Sequence, residues 1–114
     1  TDRVLYSDAG SGVSVNLMSG AVSGGSGIDT LSNIEDIEGS DYNDTLMGSD
    51  GLNKIYAGDG DDSVSGESGS DSLYGGAGDD SLDGGAGDDI IDGGAGTDRV
   101  LYSDAGSGVS VNLM

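Results

Sequence analysis

Asp80, Asp89 and Asp98 recur nine residues apart, and each stands two places after a Gly-Gly-Ala-Gly run. Two residues beyond each acid comes a single aliphatic: Leu82, Ile91 and Val100. With Gly75 as position 1, glycine fills positions 1, 2 and 4, Asp position 6 and the aliphatic position 8. Glycine accepts the positive φ of a tight turn and leaves its carbonyl oxygen uncrowded. The Asp adds a carboxylate to the same turn. Carbonyl and carboxylate oxygens together are the donor set of a hard divalent cation, Ca²⁺ above all.

Stepping back by nines extends the register through Asp71 and Leu73, Asp62 and Val64, Asn53 and Ile55, and Asp44 and Leu46, giving seven nonapeptides over 39–101. The candidate metal ligands are the side chains of Asp44, Asn53, Asp62, Asp71, Asp80, Asp89 and Asp98. To these the turns add the carbonyls of Gly58, Gly60, Gly66, Gly69, Gly75, Gly76, Gly78, Gly84, Gly85, Gly87, Gly93, Gly94 and Gly96. Asn53 brings no charge, so its site should bind more weakly. Tyr42 replaces the glycine of position 4, and Glu67 that of position 2. The acids at position 5, Asp61, Asp79 and Asp88, read as solvated loop residues. Glu35 keeps the phase but lies in a frame without glycines, so it is not taken as a ligand.

Something must hold these turns in line. The aliphatic at position 8, flanked by polar residues at 7 and 9, describes a short strand with one inward side chain. If two nonapeptides make one coil, residues 18 apart lie above one another. Leu46, Val64, Leu82 and Val100 then line one wall, and Ile55, Leu73 and Ile91 the other. The acids pair in the same way: Asp44 with Asp62, Asn53 with Asp71, Asp62 with Asp80, Asp71 with Asp89 and Asp80 with Asp98. Stacked carboxylates repel, and a divalent cation between them turns repulsion into attraction. One aliphatic per nonapeptide is a thin core against the entropy of ordering the chain, so folding is expected to be coupled to metal binding.

A longer period encloses the short one. The stretch TDRVLYSDAGSGVSVNLM occupies both 1–18 and 97–114 without a mismatch, at an offset of 96 residues. The chain reads as a window on a tandem array: 1–38 an irregular β block continuing the solenoid, 1–5 ending a preceding nonapeptide, 39–101 the regular roll, and 102–114 the start of the next unit. Within 6–38, Val13, Val15 and Leu17 alternate with polar residues as in a strand with one buried face. The GGSG at 24–27 is a turn or link. Ile28, Leu31, Ile34 and Ile37 come three apart, a spacing that suits short strands with corners, or a single helical turn.

Composition narrows the function. Twenty-two acids face three cations, Arg3, Lys54 and Arg99, for a net charge of −19. That balance, with low hydrophobicity, is the composition of a disordered chain unless a ligand intervenes. It opposes nucleic acid and anionic membranes as partners and favours cations. No histidine is present, hence no Ser-His triad and no His-ligated zinc, and the acids recur too regularly for a unique catalytic pair. No enzymatic activity is expected. No cysteine is present either, and no apolar run reaches the length of a membrane span, so no membrane insertion is expected. The first ten residues have no secretory-signal pattern. An EF-hand would need a Glu at loop position 12 and flanking helices, which the acidic run at 59–62 lacks. Positions 7 and 9 form no Thr ladder of the ice-binding kind. Tyr56 and Tyr74 should stack outward, as a cross-strand pair rather than a sugar platform.

GGAGDDSLD, GGAGDDIID and GGAGTDRVL match G-G-x-G-x-D-x-U-x at every fixed position, and the register thereby resembles the RTX (repeats-in-toxin) family of calcium-binding repeats. The flanking VLYSDAGSGVSVNL and IDTLSNIEDIEGSDYNDTL are similar to segments between nonapeptide blocks of large secreted bacterial RTX proteins. The resemblance implies an all-β, right-handed parallel β-roll (β-solenoid), with about five or more Ca²⁺ in its glycine-rich turns, each shared with the turn two repeats on. It also implies type I secretion to the cell exterior or surface. On this reading the chain is a calcium-binding structural repeat of a long extracellular bacterial protein, such as a stalk, filament, surface layer or adhesin. Its partners would be Ca²⁺ and further copies of the 96-residue unit. The alternative is a folding and secretion module attached to a secreted enzyme or toxin.

Overall fold

One inward aliphatic per nine residues gives strands too short to stand alone, so each must find its neighbour in the next coil. The computed structural model describes residues 1–25, 27–102 and 110–112. Among these there is no helix. In chain order the strands are β1 (Arg3–Leu5), β2 (Val13–Asn16), β3 (Ala21–Gly24), β4 (Asp29–Thr30), β5 (Asp36–Glu38), β6 (Thr45–Met47) and β7 (Lys54–Asp59). There follow β8 (Ser63–Ser65), β9 (Ser72–Ala77), β10 (Ser81–Asp83), β11 (Ile90–Ala95), β12 (Arg99–Leu101) and β13 (Ser110–Asn112).

The strands form two sheets facing each other across the aliphatics. One runs β1-β5-β7-β9-β11-β13, the other β12-β10-β8-β6-β2-β3-β4. From β5 to β12 the chain alternates between sheets at every strand, and all pairings are parallel. This is a parallel β-roll of about 4 coils. Val64 lies between Leu46 and Leu82, Leu82 continues to Val100, and Leu73 lies between Ile55 and Ile91. These are the two walls expected from the 18-residue spacing. Leu46, Ile55, Leu73, Leu82 and Ile91 are wholly inaccessible to solvent.

The roll extends beyond the regular repeats with other loop lengths. Ile37 stacks on Ile55 at the regular spacing, but Val4 reaches Ile37 across 33 residues and Val15 reaches Leu46 across 31. Strands β3 and β4 leave the solenoid path. After β2 the Asn16 side chain accepts the N–H groups of Met18 and Ser19, and Gly20 donates to the Asn16 carbonyl at 2.8 Å. This tight turn sends β3 back antiparallel along β2, Val15 opposite Val22, and β4 pairs antiparallel with β3. The buried alternation of Val13 and Val15 follows the sequence pattern; the strand ends at Asn16, and Leu17 is only half-buried. Of 102–114, Tyr102 and β13 are described and the remainder lies outside the described residues.

Candidate metal centre

Each position-6 side chain enters its turn just before a strand. Asp44, Asp62, Asp80 and Asp98 precede β6, β8, β10 and β12, and form one column. Asn53, Asp71 and Asp89 precede β7, β9 and β11 and form the other. Within a column each Oδ1 accepts the backbone N–H of the position-6 residue one coil earlier. Asp62 accepts from Asp44 at 2.7 Å, Asp80 from Asp62 at 2.9 Å and Asp98 from Asp80 at 3.0 Å. Asp71 accepts from Asn53 at 2.9 Å and Asp89 from Asp71 at 3.0 Å. All five residue pairs named from the sequence thus meet, side chain to main chain. All these acids are buried except Asp98, which is half-exposed.

The second oxygen divides the columns. Oδ2 of Asp62, Asp71, Asp80 and Asp89 is buried with no hydrogen-bond partner among the described residues. Asp44 and Asn53 differ: the residue at position 2 of their repeats, a serine in each, turns its main-chain N–H onto the side chain. Asp44 Oδ2 accepts the Ser40 N–H at 2.8 Å, and its Oδ1 accepts from Ser40 Oγ and from the Val13 N–H. Asn53 Oδ1 accepts the Ser49 N–H at 2.8 Å, while its Nδ2 donates to the Glu35 carbonyl at 2.7 Å. Asn53 therefore fits its place as a neutral hydrogen-bonding residue.

A buried carboxylate oxygen without a donor resists ionisation. Burial pushes the Asp62 and Asp71 carboxyls up to about 7. The backbone N–H bonds oppose this, and neighbouring acids add to it: Asp44, Asp80 and Asp61 for Asp62, Asp89 and Glu67 for Asp71. Burial first, then adjacent acids, also raise Asp80 and Asp89.

The glycines sort into two kinds. A Cβ at Gly75 would stand 2.5 Å from both Asp80 Oδ2 and the Gly93 carbonyl oxygen. One at Gly66 would stand 2.5 Å from Asp71 Oδ2 and 2.8 Å from the Gly84 carbonyl. At Gly84 and Gly93 it would collide with Asp89 Oδ2 and Asp98 Oδ2. Position 1 thus brings an orphaned carboxylate oxygen and a main-chain carbonyl to one spot. In the repeat 57–65 the position is taken by Ala57, whose methyl is buried. The carbonyls at positions 2 and 4 have another setting. Those of Gly58, Gly60, Gly69, Gly76 and Gly78 lie directly beneath Gly76, Gly78, Gly87, Gly94 and Gly96, where any side chain would strike them. Gly85 sits likewise on the Glu67 carbonyl.

Position 5 carries a feature that the sequence reading passed over. Asp61 donates its N–H to Asn43 Oδ1, Asp79 to Asp61 Oδ1 and Thr97 to Asp79 Oδ1, at 2.8 to 2.9 Å. The 18-residue spacing of Asn43, Asp61, Asp79 and Thr97 was the available signal. Outside the turns, Tyr56 and Tyr74 stack with centroids 4.7 Å apart and rings 9° from parallel, and Arg3 lies 5.4 Å over the Tyr56 ring. Tyr74 and Arg3 thus both lie against the Tyr56 ring, as in a cross-strand packing pair.

Among the described residues no three acidic side chains converge on one point. A cation here would draw on single carboxylate oxygens, backed by the next acid in the column and by main-chain carbonyls. Four partnerless buried Oδ2 atoms, two with a carbonyl alongside, fit a hard cation of Ca²⁺ type. The ion would supply the positive charge and coordination that these oxygens lack. A family model described as the RTX calcium-binding nonapeptide repeat (4 copies) matches residues 38–73 and 65–100. The comparison with curated proteins returned no match. The matched stretch covers more than half of the chain and coincides with the columns of acids, and the chain belongs to the RTX calcium-binding nonapeptide repeat family.

Proposed function

We propose that the chain is the repeating structural unit of a long extracellular protein, threaded out unfolded and locked into a β-roll by Ca²⁺ outside the cell. The observation that carries this reading is the 18-residue echo at a 96-residue offset, whose second copy continues the roll. Val100 of β12 stacks on Leu82, and Asp98 accepts the Asp80 N–H. The turn of one unit is completed by the first residues of the next, as a rod requires.

The metal reading rests on the orphaned oxygens. Asp62, Asp71, Asp80 and Asp89 are the proposed anchors, the first three each with the next acid in its column. Gly93 and Gly84 supply carbonyls beside Asp80 and Asp71. Asp44 and Asn53, already satisfied by Ser40 and Ser49, hold the start of the roll by hydrogen bonds alone. This arrangement calls for about four ions, one per orphaned Oδ2. In the Ca²⁺-poor cytosol the columns repel and the chain stays threadable; outside, each coil is fixed as it emerges.

Electron microscopy of the native protein tests the reading. Thin rods or filaments that soften in EDTA are expected. A compact particle holding one copy of the unit beside a catalytic domain would instead favour a folding module of a secreted enzyme or toxin.

A further inference from the structure

The 18-residue echo places one sequence in two settings. In the first copy, β2 has β6 on one edge and the antiparallel β3 on the other. In the second copy the same residues form β13, which pairs in parallel with β11, Val111 opposite Ile91. In the roll, β6 follows β2 and β11 precedes β13. The edge of β13 that holds β11 is therefore the edge of β2 that holds β3. One strand edge has two partners, and they exclude each other.

The conflict is local. The copies β1 and β12 raise none, since β1 uses the edge facing β5 and β12 the edge facing β10. The tyrosine that follows them changes partner with the strand. Tyr6 is buried and hydrogen-bonded to Asp29 of β4, whereas Tyr102 stands within electrostatic reach of Asp89 in the preceding repeat. An open sheet edge invites pairing with any passing strand, and proteins cover such edges. The hairpin β3–β4 does this at the start of the roll, with Val22 buried beneath it.

We propose that the edge of Val13–Asn16 is the docking joint between consecutive units, and that the hairpin Ala21–Thr30 is a removable cap on it. The occupant is the strand Ile90–Ala95 of the preceding copy. Where a copy precedes, β12 seats on β10, Asp98 joins its column, and β13 seats on β11, so two strands and a carboxylate engage together. The cap offers one edge in exchange, and it is displaced. Where no copy precedes, the cap stays and blocks lateral pairing between chains. This rests on the tandem reading of function, but its test does not depend on how many copies the native protein holds.

The chain has no cysteine, so introduced pairs report pairing directly. In the 114-residue chain with Ca²⁺, Ser14→Cys with Ser23→Cys, which face each other across β2 and β3, should close a disulfide. Failure to close it would mean that no cap exists. The decisive sample is a chain of two consecutive units, carrying Ile90→Cys, Ser110→Cys and a cysteine at the second unit's counterpart of Ser23. The Cys at 110 can then join Ile90→Cys across the joint or its own hairpin. An excess of about tenfold or more for the joint is expected; a smaller excess, or a preference for the hairpin, would overturn displacement. Val22→Asp, which weakens the cap alone, should leave the joint disulfide of the two-unit chain unchanged. Its loss would also count against the proposal.

Discussion

Asp80 accepts the Asp62 N–H through Oδ1 at 2.9 Å, while the Oδ2 atoms of both residues are buried without a partner among the described residues. One oxygen of each carboxylate holds the coils together and the other is left over. The first role needs only an acceptor. On the proposed reading the second is held for a cation.

The two roles can be separated by substitution. Asp80→Asn keeps an oxygen for the Asp62 N–H and removes the charge. In Ca²⁺ it should lower affinity at the affected sites by tenfold or more, about 1.4 kcal/mol. In EDTA the same variant should be more stable than the parent, because a buried unpaired charge has gone. Asp44→Asn should weaken Ca²⁺ binding less, since Ser40 already satisfies Asp44 Oδ2. Isothermal calorimetry with Ca²⁺ and the β content by circular dichroism in EDTA measure the two effects; equal losses of affinity at the two positions would refute the division of the column.

Acid should replace calcium in part. In the metal-free chain the Asp62 and Asp71 carboxyls titrate at about 7, against 3.8 for an unperturbed Asp. The folded state therefore holds protons that the unfolded state has released between these values. The resulting stability is fully present below the unfolded value and is lost as pH rises through about 7. In EDTA, the β signal in circular dichroism should grow on going from pH 8 to pH 5, and Asp62→Asn with Asp71→Asn should flatten the growth. With saturating Ca²⁺ the dependence should reverse, because protons compete with the ion for the same oxygens. A β signal that falls on acidification in EDTA would count against buried, partnerless carboxylates.

Much of this architecture could be read from residue types, because one rule governs 39–101. A glycine-filled turn, one acid and one aliphatic in strict period leave a single way to stack, and Leu82 meets Val64 and Val100 as expected. The rule failed where the spacing changed. Val4 reaches Ile37 and Val15 reaches Leu46 through loops of irregular length, so no fixed offset announces them. The reversal after Asn16 depends on one side chain capping two N–H groups, a local event that the alternating pattern of Val13 and Val15 does not reveal. In the turns, Asp44 looked equivalent to Asp80 because both hold position 6. The difference lies at position 2, where Ser40 donates to Asp44 and glycine does not donate to Asp80.

Glu67 is the one residue in the roll's turns, 39–101, that takes a positive φ without being glycine, at 79°. It also sets a negative charge near Asp71. Glu67→Gly removes both, at the loss of the bond from Ser65 Oγ to Glu67 Oε1. A net stabilisation of about 1 kcal/mol is expected. Gly76→Ala should act in the opposite direction, since its Cβ would strike the Gly58 carbonyl at a φ of 106°. Thermal unfolding in Ca²⁺ measures both. A destabilised Glu67→Gly would give the glutamate a structural role beyond the turn.

In the proposed tandem array, the path of the echo through the two sheets sets the symmetry. β1 lies in the six-stranded sheet and its copy β12 in the seven-stranded one. Between them the roll takes nine half-coil steps, through β2 and then β5 to β12, because β3 and β4 stand outside the winding. An odd number of half-coils turns each unit by half a revolution relative to the last. At about 4.8 Å per coil, one unit rises about 22 Å, and the array returns to the same orientation only after two units, about 43 Å. A gold label on a single cysteine introduced at the exposed Leu52 should therefore alternate between opposite sides of the rod. Labels along one side, or an axial repeat of one unit, would mean that the junction adds or omits half a coil and that β12 does not continue the roll in a real array.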